Sequence, residues 1–245
     1  GRPGAAVSAR TPALAVWSRR ITADRWSRPT DVRISRCLIH GSVRIWGMGS
    51  DGSYDDLRAS SRTAEHTAAA QAAAPSHIVL DQVTIRGAGS IPLYVGPGVT
   101  RLSLTRSTLE GRSLATALYL DAESADNRIE GNLFRTRTAR EMIAVDGSVR
   151  NRIVGNRFEL GGRPGVFLYR NCGERGVIRH QTPSYNTITD NLFSGASRLR
   201  PRLVVENARQ GRRSYCGDDK GYPWGSSADD RDGSSHNVVR YNFRN

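Results

Sequence analysis

The sequence lacks long hydrophobic runs and has very little lysine and cysteine. Hydrophobic residues make up 38% of the 245 residues, but no apolar stretch approaches the roughly 20 residues that a membrane-spanning helix needs. The apolar residues come in short alternating runs, which are too short for helices of ordinary length. We therefore expect no membrane span and a fold built mostly from strands.

Positive charge is in excess, and almost all of it comes from arginine. The 36 Lys and Arg residues outnumber the 23 Asp and Glu residues, which gives a formal net charge of +13. Such a charge either keeps the protein soluble or attracts a polyanion. No helix-turn-helix, zinc-finger or RNA-binding pattern is present, which disfavours nucleic acid. We expect an acidic polysaccharide or oligosaccharide as partner because it suits the fold inferred below.

One pattern of eight residues recurs along the second half of the chain. Copies that begin at Asn127, Asn151 and Asn186 share the pattern N-x-I-x-x-N-x-F, and a shortened copy begins at Asn237. The first two copies start 24 residues apart (151 − 127). A fixed period of this size is typical of solenoid proteins.

Each repeat holds three short runs with Ile or Val at alternate positions, separated by Gly, Asn and polar turns. This pattern predicts three strands per turn of a coil, with each strand paired to its equivalent in the next turn. We expect the Asn at the corner to adopt left-handed backbone angles and to hydrogen-bond along the coil. The sequence thus predicts one all-β domain over 1–245, a parallel β-helix of about seven turns.

The N-x-I-x-x-N-x-F repeats resemble those of the right-handed parallel β-helix proteins of the pectate-lyase-like superfamily. The resemblance covers most of the chain and implies a right-handed coil. That superfamily includes lyases, hydrolases, epimerases, esterases and phage tailspikes. The resemblance therefore indicates the fold more specifically than the activity.

Three insertions interrupt the coil, at 47–76, 171–185 and 207–236, each directly after the third strand of a turn. We expect all three to leave one edge of the coil, which in repeat proteins is often the binding face. The first is Ala-rich in its second half, so it is expected to be a loop with a partly helical arm. The last repeat stops at Asn245 after its second strand, and we expect either a longer chain or a partner that covers the open end.

Aligning the third strands places charged residues in one outward column. The alignment treats Ile143 and Phe167 as inward, and it puts these residues on consecutive turns: Asp121, Asp146, Arg170 and Glu206. Turns lie about 4.8 Å apart, so the two aspartates need a cation, a shared proton or Arg170 nearby. Three interpretations of the aspartates are open. They are ordinary turn residues, or they are the acid pair of a glycosidase. The third interpretation, which the resemblance implies, is that they bind Ca²⁺ in a lyase in which an arginine takes the sugar proton. The longer signature motifs of pectate lyases are absent.

Other residues near this column are candidates for binding or proton transfer. His180 is a candidate general acid or base, or else an ordinary surface histidine. Aromatic faces stack on sugar rings, although Trp224 equally suits a loop anchor. The candidate substrate-binding residues are Tyr94, Tyr119, Arg179, Lys220, Tyr222 and Trp224.

The three cysteines predict one disulfide and one free thiol. Cys172 and Cys216 lie in insertions that leave the same edge of neighbouring turns, so the two thiols can meet. A bridge here closes a loop of about 45 residues and contributes about 3–4 kcal/mol in the chain-entropy account. Cys37 replaces the corner Asn and is expected to face the interior. A disulfide indicates export, so we expect a secreted or periplasmic protein. The sequence contains no signal peptide, but Gly1 is not a natural start, which is compatible with the removal of one.

The leading hypothesis is an exported enzyme, a polysaccharide lyase or a glycoside hydrolase. It would cleave an acidic, uronate-containing polysaccharide by β-elimination or by hydrolysis, with Ca²⁺ as cofactor only in the lyase case. The alternative is a non-catalytic carbohydrate-binding or adhesion coil of the tailspike type.

Overall fold

The computed structural model describes residues 11–22, 25–49, 54–173, 176–195, 201–209, 211, 214, 216–217, 222–225 and 233–245. In these ranges the chain is mostly strand, and no helix is long and apolar enough to cross a membrane. In chain order the elements are β1 (Leu14–Trp17), β2 (Arg19–Arg20), β3 (Trp26–Ser27), β4 (Arg33–Ser35), β5 (Leu38–His40), β6 (Val43–Trp46), α1 (Tyr54–Ser61), α2 (His66–Ala73), β7 (Val79–Asp81), β8 (Thr84–Gly89), β9 (Leu93–Val95), β10 (Ser103–Thr105), β11 (Thr108–Ser113), β12 (Leu118–Leu120), β13 (Arg128–Glu130), β14 (Leu133–Phe134), β15 (Ile143–Asp146), β16 (Arg152–Val154), β17 (Arg157–Glu159), β18 (Val166–Tyr169), β19 (Thr187–Thr189), β20 (Leu192–Ser194), β21 (Val204–Val205), β22 (Val238–Arg240) and β23 (Phe243–Arg244).

Each full turn of the coil contributes one strand to each of three parallel sheets. Sheet 1 has the order β4-β7-β10-β13-β16-β19-β22, and sheet 2 has the order β5-β8-β11-β14-β17-β20-β23. Sheet 3 has the order β1-β6-β9-β12-β15-β18-β21, and β2 and β3 form a separate antiparallel pair. The prediction of a right-handed parallel β-helix of about seven turns is confirmed.

The core consists of inward columns that run the length of the coil. In sheet 2 the rings of Phe134, Phe158 and Phe193 stack at centroid distances of 4.8 and 4.5 Å, with planes 10° and 8° apart. The Ile of the repeat forms the facing column in sheet 1, and its members have no exposed surface: Ile129, Ile153 and Ile188. Because full burial of such a side chain contributes about 1.5–3 kcal/mol, these columns explain why Ile and Phe recur in every copy.

The corner between sheets 1 and 2 is held by a ladder of asparagines. The Nδ2 atoms of Asn132 and Asn156 donate to Oδ1 of the next asparagine along the coil, each at 3.0 Å, and Asn191 continues the ladder. The expected ladder is therefore confirmed. The left-handed residue is the one before each asparagine, for example Gly155 with a φ of 64°, and not the asparagine itself. The asparagine itself is the residue directly before the strand of sheet 2. Its backbone N–H also donates to the ladder, as that of Asn132 does at 3.0 Å, so the turn is made by the preceding residue.

All three insertions follow strands of sheet 3, namely β6, β18 and β21, so they leave one edge as predicted. The first insertion contains α1 and α2, which confirms the partly helical arm. This helical arm docks on the coil and on the second insertion. Gln71 Nε2 donates to the carbonyl of Glu123 at 2.9 Å, and the backbone N–H of Ile178 donates to Ser61 Oγ at 2.9 Å.

The disulfide between Cys172 and Cys216 is present, with Cα atoms 5.3 Å apart, and it joins the second insertion to the third. The expectation that Cys37 faces the interior is wrong, because Cys37 is free and exposed. Its turn is the first in sheets 1 and 2. The corner that contains Cys37 therefore has a neighbouring turn on one side and none on the other, which leaves the Cys37 side chain exposed.

Candidate functional site

The two aspartates of the predicted column are neighbours on sheet 3. Leu120 pairs with Val145, so Asp121 and Asp146 directly follow equivalent positions on adjacent turns. They lie beneath the insertions, but not on an exposed surface, since Asp121 is 6% exposed and Asp146 is fully buried. Two buried carboxylates at this spacing require partners that neutralise or hydrogen-bond them.

The rest of the predicted column is wrong by one residue at β18. Ala144 pairs with Phe167 and Asp146 pairs with Tyr169, so Arg170 lies one position beyond the column. Every residue of β18 is apolar or aromatic, and alternation alone cannot decide which of them face inward. Glu206 is exposed and accepts a hydrogen bond from Asn237 Nδ2 at 2.7 Å. Neither Arg170 nor Glu206 lines the cavity described below.

Arg179 supplies the positive charge beside Asp121. Its Nη1 donates to Asp121 Oδ1 at 2.8 Å, and the backbone N–H of Ala122 donates to the same oxygen at 2.8 Å. The Tyr94 hydroxyl donates to Oδ2. Burial by itself lowers the pKa of Arg179, but Asp121 and Asp146 raise it above its usual value. Arg179 is therefore a permanent cation of the site.

Asp146 is held by Tyr119 and Asn171. The Tyr119 hydroxyl donates to Oδ2 at 2.5 Å, and Asn171 donates its backbone N–H to Oδ1 at 2.7 Å and Nδ2 to Oδ2 at 2.8 Å. Burial raises the pKa of Asp146 to about 6, against the lowering effect of Arg179. Asp146 thus exchanges a proton near pH 6, where an ordinary aspartate is fully ionised.

A second polar network lies beside Asp146. The Tyr169 hydroxyl donates to Glu141 Oε1 at 2.9 Å, and Arg140 Nη2 donates to the same oxygen at 2.9 Å. The Arg209 guanidinium lies 4.0 Å from the centroid of the Tyr169 ring and also donates to Asn171 Oδ1. Sequence reasoning missed Arg140, Glu141, Asn171 and Arg209. Only the position of Asn171 beside the predicted bridge residue Cys172 could have drawn attention to it.

These groups surround a cavity of about 390 Å³. A smaller cavity of about 150 Å³ shares Tyr94, Asp121 and Arg179 with it and is walled by Tyr54 and Leu57 of α1. Asp146 lies behind Tyr119 and Asn171. The lining of the larger cavity is Ile91, Tyr94, Tyr119, Asp121, Arg140, Asn171, Cys172, Arg179 and Arg209.

His180 does not line the cavity. Its backbone N–H donates to Glu123 Oε1 at 2.8 Å, and its ring Nε2–H donates to the carbonyl of Ser61 at 2.8 Å. Its ring contacts that of His66 edge-on, with centroids 4.9 Å apart. Through these contacts His180 connects the second insertion to the helical arm and to Glu123.

The predicted aromatic subsite residues of the third insertion also lie away from the cavity. Trp224 packs 6.4 Å from His180, and Tyr222 lies 6.2 Å from Trp224, measured between ring centroids. The packing of Trp224 on the second insertion matches the alternative reading of a loop anchor. Lys220 lies outside the described residues.

Calcium does not fit this arrangement. All four carboxylate oxygens of Asp121 and Asp146 accept hydrogen bonds from N–H or O–H donors. Arg179 already provides a positive charge where a cation would have to sit against Asp121. Among the residues that the structure describes, no three His, Cys, Asp or Glu side chains are grouped so as to hold a metal ion.

The fold and the site together define a right-handed parallel β-helix that carries a covered pair of carboxylates beside an arginine-rich cavity on its third sheet. No protein-family model, no curated protein and no solved structure matches the chain.

Proposed function

We propose that this protein is a carbohydrate-active enzyme that hydrolyses an acidic, uronate-containing polysaccharide, and that it belongs to the pectate-lyase-like superfamily. The observation that carries the proposal is the composition of the larger cavity. Three arginines face Asp121 and a tyrosine that is hydrogen-bonded to a second, buried carboxyl group. A sugar acid needs cationic groups for binding and a pair of carboxyl groups for cleavage.

The arginines would bind the carboxylates of the substrate. A guanidinium binds a carboxylate with two parallel N–H donors, which gives both strength and orientation. Arg179 is already paired with Asp121, and Arg140 is paired with Glu141. Arg209 lies beside Arg140 at the same network, where it contacts the neutral Tyr169 ring and the Asn171 side chain. We therefore place the substrate carboxylate near Arg140 and Arg209 and the glycosidic bond near Asp121.

The two carboxyl groups lie in different environments, as acid–base cleavage requires. Asp121 is ion-paired and lines the cavity, so it suits the role of nucleophile or base. Asp146 has a pKa raised to about 6 and is hydrogen-bonded to Tyr119. In its protonated state Asp146 would give its proton to the Tyr119 oxygen while the Tyr119 hydroxyl gives its own proton to the leaving oxygen, and the hydrogen bond from Tyr119 to Asp146 would reverse. One carboxyl group that gives a proton and one that stays ionised are the usual glycosidase pair.

Hydrolysis is favoured over β-elimination by the states of the other polar groups. Elimination needs a base that removes a proton from the sugar ring. Burial and the neighbouring aspartates raise the pKa of Tyr94 and of Tyr119 well above the usual value, and Arg179 is ion-paired. None of these three groups is a ready proton acceptor, so the arginine or tyrosine base of an eliminating site is missing. Asp121 can act as a base in either reaction, and the absorbance of unsaturated ends decides between them.

Non-catalytic binding is the second candidate function, and one observation favours it. Asp146 has no exposed surface, and the carboxylate oxygens of both aspartates are already hydrogen-bonded. In that case the cavity would bind an acidic sugar through its arginines, and the aspartates would serve the fold. In both cases the disulfide fits an oxidising compartment, so we propose a secreted or periplasmic protein.

The test is to incubate the protein with a panel of uronate polymers and to record new reducing ends together with the absorbance of unsaturated ends. Hydrolysis predicts reducing ends without the absorbance. Asp121→Asn should lower turnover by about a hundredfold or more, since it removes one of the paired groups. Glu206→Gln is the matched control, because Glu206 lies outside the cavity, and it should leave turnover unchanged.

The other outcomes would contradict hydrolysis. An absorbance increase would indicate β-elimination, and tight binding without products would indicate the non-catalytic alternative. No binding and no products with any uronate polymer would overturn both.

A further inference from the structure

The outward face of sheet 3 continues past the cavity toward β1, and it carries aromatic side chains along the way. Tyr119 pairs with Tyr94, and Tyr94 pairs with Arg44 of β6. The adjacent outward column runs from Asp121 through Gly96 to Trp46, because Val95 pairs with both Leu120 and Ile45. Trp17 of β1 pairs with Trp46 and ends this column.

Trp17 and Trp46 form a parallel pair of rings. Their centroids are 5.9 Å apart and their planes differ by 10°. Trp17 is 53% exposed, and Trp46 is half-buried. The pair therefore presents a rigid aromatic surface that spans two turns of the coil at one end of the face that holds Asp121.

The space between this pair and the cavity is spanned by Gly96, which is buried, and by the outward side chains of Tyr94 and Arg44 in the adjacent column. Trp46 lies two turns from Asp121, or about 10 Å along the coil at the usual strand spacing. The Arg44 guanidinium lies 5.9 Å from the centroid of the Tyr94 ring. Arg44 also donates to the carbonyl of Ile91 at 2.6 Å, and Ile91 lines the larger cavity. A chain that leaves the cavity along the coil thus passes Tyr94 and then reaches Arg44 and Trp46 on the same turn, with Trp17 on the next turn.

We propose that Trp17 and Trp46 form a distal subsite for the same acidic polysaccharide, which lies along the axis of the coil. The apolar face of a sugar ring packs on an indole ring, and Arg44 offers a positive charge to a uronate on the way. This proposal rests on the proposed function, since it takes the cavity as the place where the polysaccharide is bound.

The test is the dependence of binding on ligand length. Galacturonate and alginate oligomers of increasing length would be mixed rapidly with the protein, and tryptophan fluorescence would be recorded before turnover. For the wild type, affinity should rise at the length that reaches from the cavity to Trp46. Trp17→Ala and Trp46→Ala should each remove roughly tenfold of that gain for long oligomers, by loss of apolar contact, and should leave short oligomers unaffected.

Two further variants serve as controls, with binding read by calorimetry because Trp17 is itself a fluorophore. Trp17→Phe keeps an aromatic face and should retain part of the gain. Leu114→Ala removes another exposed apolar side chain, one that is 65% exposed and lies in neither column, and it should bind every length like the wild type.

The outcomes separate this inference from the proposed function. If oligomers bind and Arg209→Ala weakens all of them, but the tryptophan variants show no dependence on length, the distal subsite is wrong while the cavity stands. If no uronate oligomer binds, both are wrong. If single-stranded oligonucleotides bind through Trp17 and uronate oligomers do not, the aromatic surface serves nucleic acid and both proposals fail.

Discussion

The hydrogen bonds of Asp146 decide what this residue can do. It accepts three of them, one from Tyr119 and two from Asn171, and it has no contact with solvent. Hydrogen bonds of this kind favour the ionised form, whereas complete burial favours the neutral form. Burial outweighs them here, because the pKa of Asp146 is raised to about 6.

This raised pKa predicts a pH dependence of stability centred on Asp146 and its neighbours Asp121 and Arg179. The native state holds the proton more tightly than the unfolded chain, whose carboxyl has the ordinary pKa of 3.8. The contribution is fully present below pH 3.8 and is lost as the pH rises through about 6. A shift of this size corresponds to about 3 kcal/mol.

The measurement is the free energy of unfolding in urea from pH 4 to pH 7 for the wild type and for Asp146→Asn. The wild type should lose about 2 kcal/mol relative to the variant across this range, most of the full shift. The difference between the two proteins cancels the titration of groups that do not interact with Asp146. A difference that stays constant with pH would show that Asp146 has an ordinary pKa.

At the scale of elements, the helical arm is held to the second insertion by buried polar contacts. His66 Nδ1 is 3.0 Å from Ser60 Oγ, and its ring lies against that of His180. Glu123 accepts hydrogen bonds from the backbone of His180 and from the Thr67 side chain of α2. These contacts fix the wall that α1 gives to the smaller cavity.

Acid should weaken this docking. Burial, with further effects from His180 and Arg179, lowers the pKa of His66 to about 3, far below its ordinary 6.5. The native state therefore excludes a proton that the unfolded histidine takes up. Its stabilising contribution is present above pH 6.5 and is lost as the pH falls toward 3.

Hydrogen exchange of α2 between pH 7 and pH 4, corrected for the intrinsic exchange rate, tests this point. Protection of α2 should fall on acidification in the wild type and should change much less in His66→Phe, which keeps an aromatic ring but cannot be protonated. Equal loss of protection in both proteins would contradict the role of His66.

The disulfide fixes the other two insertions over the cavity. Asn171 donates hydrogen bonds to Asp146 and to the Tyr119 hydroxyl, and Cys172 directly follows it in the chain. The bond from Cys172 to Cys216 therefore restrains the position of Asn171. Cys216→Ser should cost about 3–4 kcal/mol of stability and should lower binding in the cavity, while the far-ultraviolet spectrum stays that of a β-helix.

Thiol counting checks the same feature. One thiol, Cys37, should react in the folded protein because it is exposed, and three should react after reduction and unfolding. Three reactive thiols in the unfolded, unreduced protein would remove the bridge and the argument for export.

At the scale of the whole molecule, much of the excess arginine holds the turns together. Asp81 lies 2.6 Å from Arg106 and 3.7 Å from Arg33, on neighbouring turns. Glu110 and Glu130 likewise each pair with two arginines. The arginines of these pairs are exposed, so each pair contributes modestly even where the acid is buried, and two arginines for each acid leave a net positive surface. These six arginines therefore have a structural role in addition to their share of the net charge of +13.

The coil could be predicted from the sequence because its determinants repeat. One inward column consists of Ile129, Ile153 and Ile188. Each copy of the pattern also contains the asparagine that forms the corner between sheets 1 and 2. The site could be predicted only in part. Asp121 and Asp146 follow strands whose alternation is clear, whereas β18 is apolar throughout and its register needs the neighbouring strands.

The residues that complete the site lie in turns and insertions, where no periodicity applies. Arg140 precedes β15, and Arg209 lies in the third insertion, which the disulfide brings to the second. Arg179 was expected to bind substrate, and its pairing with Asp121 depends on how the second insertion folds back over the coil. Such placements arise from tertiary contacts between segments far apart in the chain, which short sequence patterns do not record.

The most direct test of the proposed function is a crystal structure of Asp121→Asn with a bound uronate oligosaccharide. The proposal predicts a uronate carboxylate at Arg140 and Arg209, a glycosidic oxygen within reach of the Tyr119 hydroxyl, and the remaining sugars along sheet 3 toward Trp46. An oligosaccharide bound on sheet 1 or sheet 2, with the cavity beside residue 121 empty, would contradict it.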